Sequence, residues 1–145
     1  MEILQFNEID MNKFDNYILS IDLKNHLDFY KLSDNSKYLE LLKKIIFEKE
    51  SISLIAVEND FIIGFMIGEI EFNDELSSKI AKVKHTIYEN SSNYEMLLKR
   101  FEQIAKEKNC EYVSVCTPDF QKDTLDFLSS TGFSNYKVEL EKELV

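Results

Sequence analysis

Apolar positions along the chain change period several times, and each change marks an element. Tyr38, Leu41, Leu42, Ile45 and Ile46 fall at helical spacing, which predicts a helix over residues 36–48 with Ser36 as its N-cap. From Ser51 the pattern turns to runs rich in Ile, Val and Phe, predicting strands over 51–58 and 61–72. Asn59-Asp60 between them tolerates the positive backbone angles of a tight hairpin turn. Residues 73–78 read as a loop and 79–88 as the next strand, with alternation visible at Lys82, Val83, Lys84 and His85. Helical spacing returns over 93–108, where Tyr94, Leu97, Leu98, Phe101, Ile104 and Ala105 form one apolar stripe.

The two ends complete the pattern. Residues 2–6 read as a first strand, followed by helical stretches over 11–21 and 23–32 that break around Asp22. Residues 112–116 read as a short buried strand. Thr117 then caps a helix with Pro118 at its first position, where the missing N–H costs nothing, and Gly132 stops that helix. Residues 133–144 alternate, with Val138 and Leu140 on one face and Glu139 and Glu141 on the other, which predicts a closing strand. The order is β-α-α-α-β-β-β-α-β-α-β. Hairpins precede a strand–helix–strand crossover, so the sheet is mixed. One proline and three glycines leave no room for a linker, and residues 1–145 read as a single domain.

Charge and composition narrow the partners. The net charge of -10, from 17 basic and 27 acidic residues, repels phosphate backbones and argues against nucleic acid. The longest unbroken apolar stretch, residues 61–67, is far short of the roughly 20 residues that cross a bilayer, so no membrane partner is expected. The start Met-Glu-Ile-Leu-Gln-Phe lacks a basic-then-apolar export signal, and two cysteines suggest free thiols, so the cytoplasm is the expected compartment. Two His and two Cys at unrelated spacings make no zinc site, and no metal is expected. Cys116 reads as a small core residue rather than a nucleophile.

Three short motifs in the predicted order carry a family resemblance. Ile62-Ile63-Gly64-Phe65 resembles a third-strand start, Leu97-Leu98 the pair that opens a central helix, and Phe127 with Gly132-Phe133 a closing signature. Together they resemble the GNAT superfamily of acyl-CoA-dependent N-acyltransferases, over most of the chain and best from about Ser51 to Phe133. The resemblance implies an α/β (α+β) fold: a mixed, mostly antiparallel central sheet of six to seven strands, flanked by helices on both faces. It implies acetyl transfer from acetyl-CoA to a small-molecule or protein amine acceptor, with homodimerisation as a further expectation.

The family motif at the central helix is Gln or Arg, two residues, Gly, one residue, then Gly or Ala. Anchored on Leu97-Leu98, it falls on Glu89, Ser92 and Tyr94, which depart from it at all three places. A carboxylate about 4 Å from a phosphate, at an effective dielectric near 20, is repelled by on the order of 4 kcal/mol. The cofactor-binding residues implied are Thr86 and Ile87 on the strand, Ser91, Ser92, Asn93 and Tyr94 at the helix start, and Gln121 at the family's Asn position. Ser91, Ser92 and Asn93 equally suit a plain N-cap. The family's acid tyrosine falls on Leu128, which carries no proton; Tyr112 and Tyr136 are the phenols considered in its place. His85 and Glu71 are the candidate catalytic bases. Glu69, Glu71, Asp74 and Glu75 form either an acidic wall suited to an amine or a solvated strand face. The competing function is a non-catalytic GNAT-like binding or regulatory module that has lost acyl-CoA.

Overall fold

The computed structural model describes residues 1–75, 77–116, 118, 122–134 and 140–144. Five strands, β1 (Glu2–Gln5), β2 (Ser51–Glu58), β3 (Phe61–Asn73), β4 (Ser78–Tyr88) and β5 (Tyr112–Val115), lie in one sheet in chain order. The first three pairings are antiparallel and β4–β5 is parallel. Helices α1 (Met11–Ser20), α2 (Lys24–Tyr30) and α3 (Asn35–Ile46) come between β1 and β2, α4 (Ser91–Glu107) between β4 and β5, and α5 (Lys122–Ser130) after β5. The mixed sheet and the hairpin-then-crossover order match the sequence reading. Among the described residues the sheet has five strands, not six or seven. Phe133, Ser134 and residues 140–144 carry no strand, while Val138 and Glu139 of the expected closing strand lie outside the described residues.

Local chemistry explains the element ends. Asn59 and Asp60 both take positive φ (51° and 65°), as the hairpin turn requires. The helix at residue 36 is capped by Asp34, whose carboxylate accepts from the Lys37 N–H at 2.9 Å, rather than by Ser36. Asp34 is the last extended residue, and so its side chain can fold back on the open N–H groups. At the end of α5, Gly132 takes φ 99° and the Phe133 N–H reaches the Leu128 carbonyl, 3.1 Å away. That is the left-handed stop expected of this glycine. Pro118, expected at the first position of that helix, stands ahead of α5; its expected cap, Thr117, lies outside the described residues.

The sheet separates two cores. On one face α4 buries its whole predicted stripe, from Tyr94 to Ala105, against Leu54, Met66, Ile70 and Val83, with Leu128 of α5 closing the end. On the other face Phe14 and Ile18 of α1 and Tyr38 and Leu42 of α3 pack on Ile55, Phe65 and Ile67. The strand at 112–116 is less buried than its composition predicts, because β5 is the outermost strand among the described residues: Tyr112 is 53% exposed.

Two irregularities interrupt the middle of the sheet. Opposite Ile67 and Gly68 of β3 stand His85 and Val83 of β4, so Lys84 is an extra residue and β4 bulges there. Beneath the bulge, Gly68 sits against Phe101 of α4. A Cβ on Gly68 would meet the Phe101 ring at 2.7 Å and would collide with the Lys82 carbonyl. Backbone on one side and a fully buried ring on the other leave no direction for relief. Gly68→Ala is therefore expected to destabilise the fold by about 1–3 kcal/mol, the usual range for overpacking. Urea unfolding of the variant, read as a lower midpoint at unchanged slope, checks this.

Candidate functional site at a strand fork

The β4–β5 ladder runs only from Ile80↔Tyr112 to Val83↔Val115. A last contact comes after it, from the Cys116 N–H to the Val83 carbonyl at 3.4 Å. Beyond that point β4 continues through Tyr88 with no further β5 pairing among the described residues, and a fork opens. His26, Tyr30, Lys84, Thr86, Tyr94, Val115, Cys116, Pro118 and Thr124 line it. Its cavity volume, about 10 Å³ traced by the centre of a water-sized sphere, holds about one water.

The start of α4 forms one wall. Asn90 is the N-cap, and its side chain accepts from the Asn93 N–H at 3.0 Å. The Tyr94 N–H bonds to the Asn90 carbonyl. Of the four residues Ser91–Tyr94, only Ser91 and Ser92 therefore keep outward N–H groups that lack an intrahelical acceptor, and both are exposed. Asn93 is turned inward, 6% exposed, and its amide donates to Met1 Sδ at 3.1 Å. The cap thus stands one residue ahead of the 91–93 stretch that the sequence suggests. Glu89 is exposed ahead of the helix, and its charge contributes to raising the pKa of Tyr17.

Tyr94 occupies the fork. Its ring is 3% exposed, packs on Tyr88 at 4.9 Å and meets Phe127 edge-on at 5.5 Å. Its hydroxyl is buried with no hydrogen-bond partner among the described residues. Burial, followed by the neighbouring Tyr88, pushes the phenol above its usual pKa. Beside it, the Tyr88 and Thr124 hydroxyls lie 2.6 Å apart and tie the end of β4 to α5.

The opposite wall is polar and aromatic. His85 is 7% exposed and shares a 3.3 Å hydrogen bond, through Nδ1, with the Tyr38 hydroxyl. The Tyr30 ring stands 4.7 Å from the imidazole, and its hydroxyl lies 3.5 Å from the Lys84 carbonyl. Burial first, then the cationic forms of His26 and Lys84, push the His85 pKa down to about 4. Thus His85, expected on the strand, is a buried neutral imidazole behind Tyr30 rather than on the lining. Glu71 accepts from Lys82 at 3.0 Å and pairs with Lys84 at 3.6 Å. The Lys82 hydrogen bond holds its carboxyl below the usual range, against a smaller opposing effect of burial. The acidic wall read from Glu69, Glu71, Asp74 and Glu75 is therefore crossed by two lysines.

The remaining sequence candidates are scattered. Thr86 lines the fork, whereas Ile87 points to the α1–α3 core. Gln121 and Tyr136 lie outside the described residues. Tyr112 sits at the far end of β5, paired with Ile80 and away from the fork. Cys116, expected in the core, is an exposed free thiol on the lining, because the strand ends one residue earlier. Sequence reasoning missed His26, Tyr30, Tyr38, Tyr88 and Thr124 as parts of the site. For α2, a histidine and a tyrosine four residues apart was the available signal. Among the described residues no group of His, Cys, Asp and Glu could hold a metal ion, and no helix is long and apolar enough to cross a membrane.

No protein-family model matches the chain, and no curated protein matches it in sequence. Solved structures do share its fold. A transcriptional regulator from Bacillus halodurans superposes with a TM-score of 0.74 at 16% identity, covering 99% of each chain. Aminoglycoside N-acetyltransferase AAC(6')-Iy, in complex with CoA, gives 0.72 at 15% identity over 98% of this chain and 93% of its own. A GNAT family acetyltransferase from Staphylococcus aureus gives 0.70 at 17% identity over 99% of this chain and all of its own.

Two consequences are measurable. An unfolded histidine takes up its proton near pH 6.5, whereas folded His85 resists until about pH 4. Between these values the unfolded state binds more protons, so stability is full above pH 6.5 and falls as pH drops, by on the order of 3 kcal/mol by pH 4. His85→Gln should flatten the fall in melting temperature between pH 7 and pH 5, where few carboxylates titrate. Tyr94→Phe, which removes an unpartnered buried hydroxyl and keeps the ring, is expected to raise stability by about 1 kcal/mol in chemical denaturation.

Proposed function

We propose that this chain, whose fold is that of the GNAT acetyltransferases, transfers acetyl from acetyl-CoA to an amine acceptor at the fork between β4 and β5. The observation that carries the reading is the fork itself. A strand whose outer edge leaves its partner beside a helix N-terminus offers backbone groups to an extended amide-bearing arm and N–H groups to an anion.

The residues present fit an acyl-CoA unevenly. At the α4 end, the Ser91 and Ser92 N–H groups and hydroxyls would face the pyrophosphate, with the helix dipole behind them and the charge of Glu89 against them. Asn93 and Tyr94 have their N–H groups committed and add no donors there. Thr86, Val115 and Cys116 would flank the arm. Room for it requires the Tyr88–Thr124 bridge to part and the Tyr94 ring to shift, so binding is coupled to opening.

On the acceptor side this chain's residues orient an amine and receive its proton. His85, neutral at pH 7, is the base; because Tyr30 stands between it and the fork, it acts through that side chain or a water. Glu71, the other candidate, is engaged by two lysines. Its role in this reading is to hold Lys84 at the lining. The acceptor is a small-molecule or protein amine, and catalysis rests mainly on positioning.

One observation favours a second reading, a binding or regulatory module. The fork is filled by the chain's own Tyr94 and closed by its own Tyr88, and a transcriptional regulator shares the fold. A thermal-shift titration separates the two. Acetyl-CoA at about 100 times its dissociation constant adds roughly 2.7 kcal/mol, a rise of several degrees for a domain of this size. Tyr88→Phe removes the bridge and should tighten CoA binding by about 3- to 10-fold in calorimetry, the equivalent of one hydrogen bond. No shift with millimolar CoA or acetyl-CoA overturns the acetyltransferase reading and leaves the module.

A further inference from the structure

We propose that the fork also takes the disulfide of CoA, and that Cys116 then joins the bound arm covalently as a mixed disulfide. The proposal rests on CoA occupying the fork, as the acetyltransferase reading has it, and adds a modification site to that reading. Two independent observations meet there. Cys116 is an exposed free thiol on the lining, the first residue past the end of β5. Tyr94 lines the fork too; it is 3% exposed, and its buried hydroxyl finds no hydrogen-bond partner among the described residues. Buried polar groups are almost always paired, and an unpaired one on a cleft marks where a ligand's acceptor arrives. The amide carbonyls of a pantetheine arm are acceptors of that kind.

The length of the arm places its sulfur. With the pyrophosphate at Ser91 and Ser92, the arm runs back along the open edge of β4 toward Val83, where the ladder with β5 ends. Because of the bulge, Tyr88 to Val83 stands opposite only Gly64 to Gly68 of β3, a span of about 14 Å at the rise of a strand. About thirteen bonds separate phosphorus from sulfur in the arm, the reach of about four extended residues and again about 14 Å. The sulfur therefore arrives at the closed end of the fork. Cys116 is anchored there, its N–H 3.4 Å from the Val83 carbonyl. Because Cys116 is exposed, the second half of a disulfide has room outside the fork. Cys110, the chain's other cysteine, precedes the opposite end of β5 and lies out of reach.

The step is a thiol–disulfide exchange. The Cys116 thiolate bonds to the sulfur held in the fork as the S–S bond of CoA disulfide breaks. The bonding pair leaves with the outer sulfur, and that thiolate takes up the proton Cys116 gave up. One disulfide is consumed and one is formed, so no other oxidant enters. The linked arm fills the fork and excludes acetyl-CoA until a free thiol reverses the exchange.

The unsubstituted chain is mixed with CoA disulfide or, at the same concentration, with glutathione disulfide. Intact-mass spectrometry follows adduct formation and peptide mapping locates it. Charge does not favour the CoA compound, since a chain of net charge -10 repels its phosphates. Capture at Cys116 is expected to be about tenfold faster or more with CoA disulfide, because the bound arm holds its sulfur at high local concentration. Acetyl-CoA, which carries no free thiol, should slow that capture by a similar factor, and Cys116→Ser should form no adduct at that rate. Equal rates for the two disulfides, or an adduct mainly on Cys110, with acetyl-CoA still raising the melting temperature, overturn the proposal and leave the acetyltransferase reading standing. Capture that acetyl-CoA does not slow, although it raises the melting temperature, does the same. If acetyl-CoA neither raises the melting temperature nor slows capture, the reading beneath falls with the proposal.

Discussion

Strand β4 has two unequal edges, and the rest of the molecule is arranged around that inequality. Toward β3 it is paired from Ser78 to Tyr88; toward β5 the ladder among the described residues stops at Val83. A backbone edge inside a protein cannot stay bare, because each open N–H or C=O costs about as much as a lost hydrogen bond. The bulge at Lys84 bends β4 at the point where its described ladder with β5 ends. Side chains from α2, α4 and α5 then converge on the gap. What they leave is a narrow, protic space rather than more core.

The two sides of that space differ in chemistry because they belong to different layers. The α4 side is largely apolar: Tyr94, Phe127 and Leu128 pack there, with the Tyr88–Thr124 hydroxyl pair beside the Tyr94 hydroxyl. The side toward α2 and α3 carries two imidazoles and two phenols in ring contact, with a lysine–glutamate–lysine cluster beyond. Burial acts in opposite senses on these groups, lowering imidazole pKa values and raising phenol ones. At neutral pH it leaves His26 and His85 uncharged and Tyr30 and Tyr94 protonated. Neutral groups that hold or accept a proton sit across a gap from one another without charge repulsion.

The sequence made the architecture readable because long periodic segments carry it. The α4 stripe, the Asn59-Asp60 hairpin and the Gly132 stop are each legible from local chemistry, and each is found in place. The site is less legible, for two reasons. First, it is assembled across the sheet: Tyr38 and His85 are 47 residues apart and Tyr88 and Thr124 are 36 apart, and nothing local marks such pairs. Second, motif reasoning locates Tyr94 as a departure from a phosphate-binding pattern but cannot say which way its ring turns. Cys116 is misjudged because the mostly apolar stretch 112–116 does not reveal that its last member lies past the end of the ladder. The closing strand rests on alternation alone.

The sheet also acts as a partition. The α4–α5 core and the α1–α3 core share no buried residue, and Phe101 and Phe14 lie on opposite sides of it. Changes buried deep in the two cores, far from the cleft they both border, combine additively in free energy. The layer carrying Phe14, Tyr38 and Leu42 can therefore be rebuilt by substitution while the layer carrying Leu97, Phe101 and Ile104 keeps its packing. Evolution can explore the two cores as nearly independent problems, coupled only where both border the cleft.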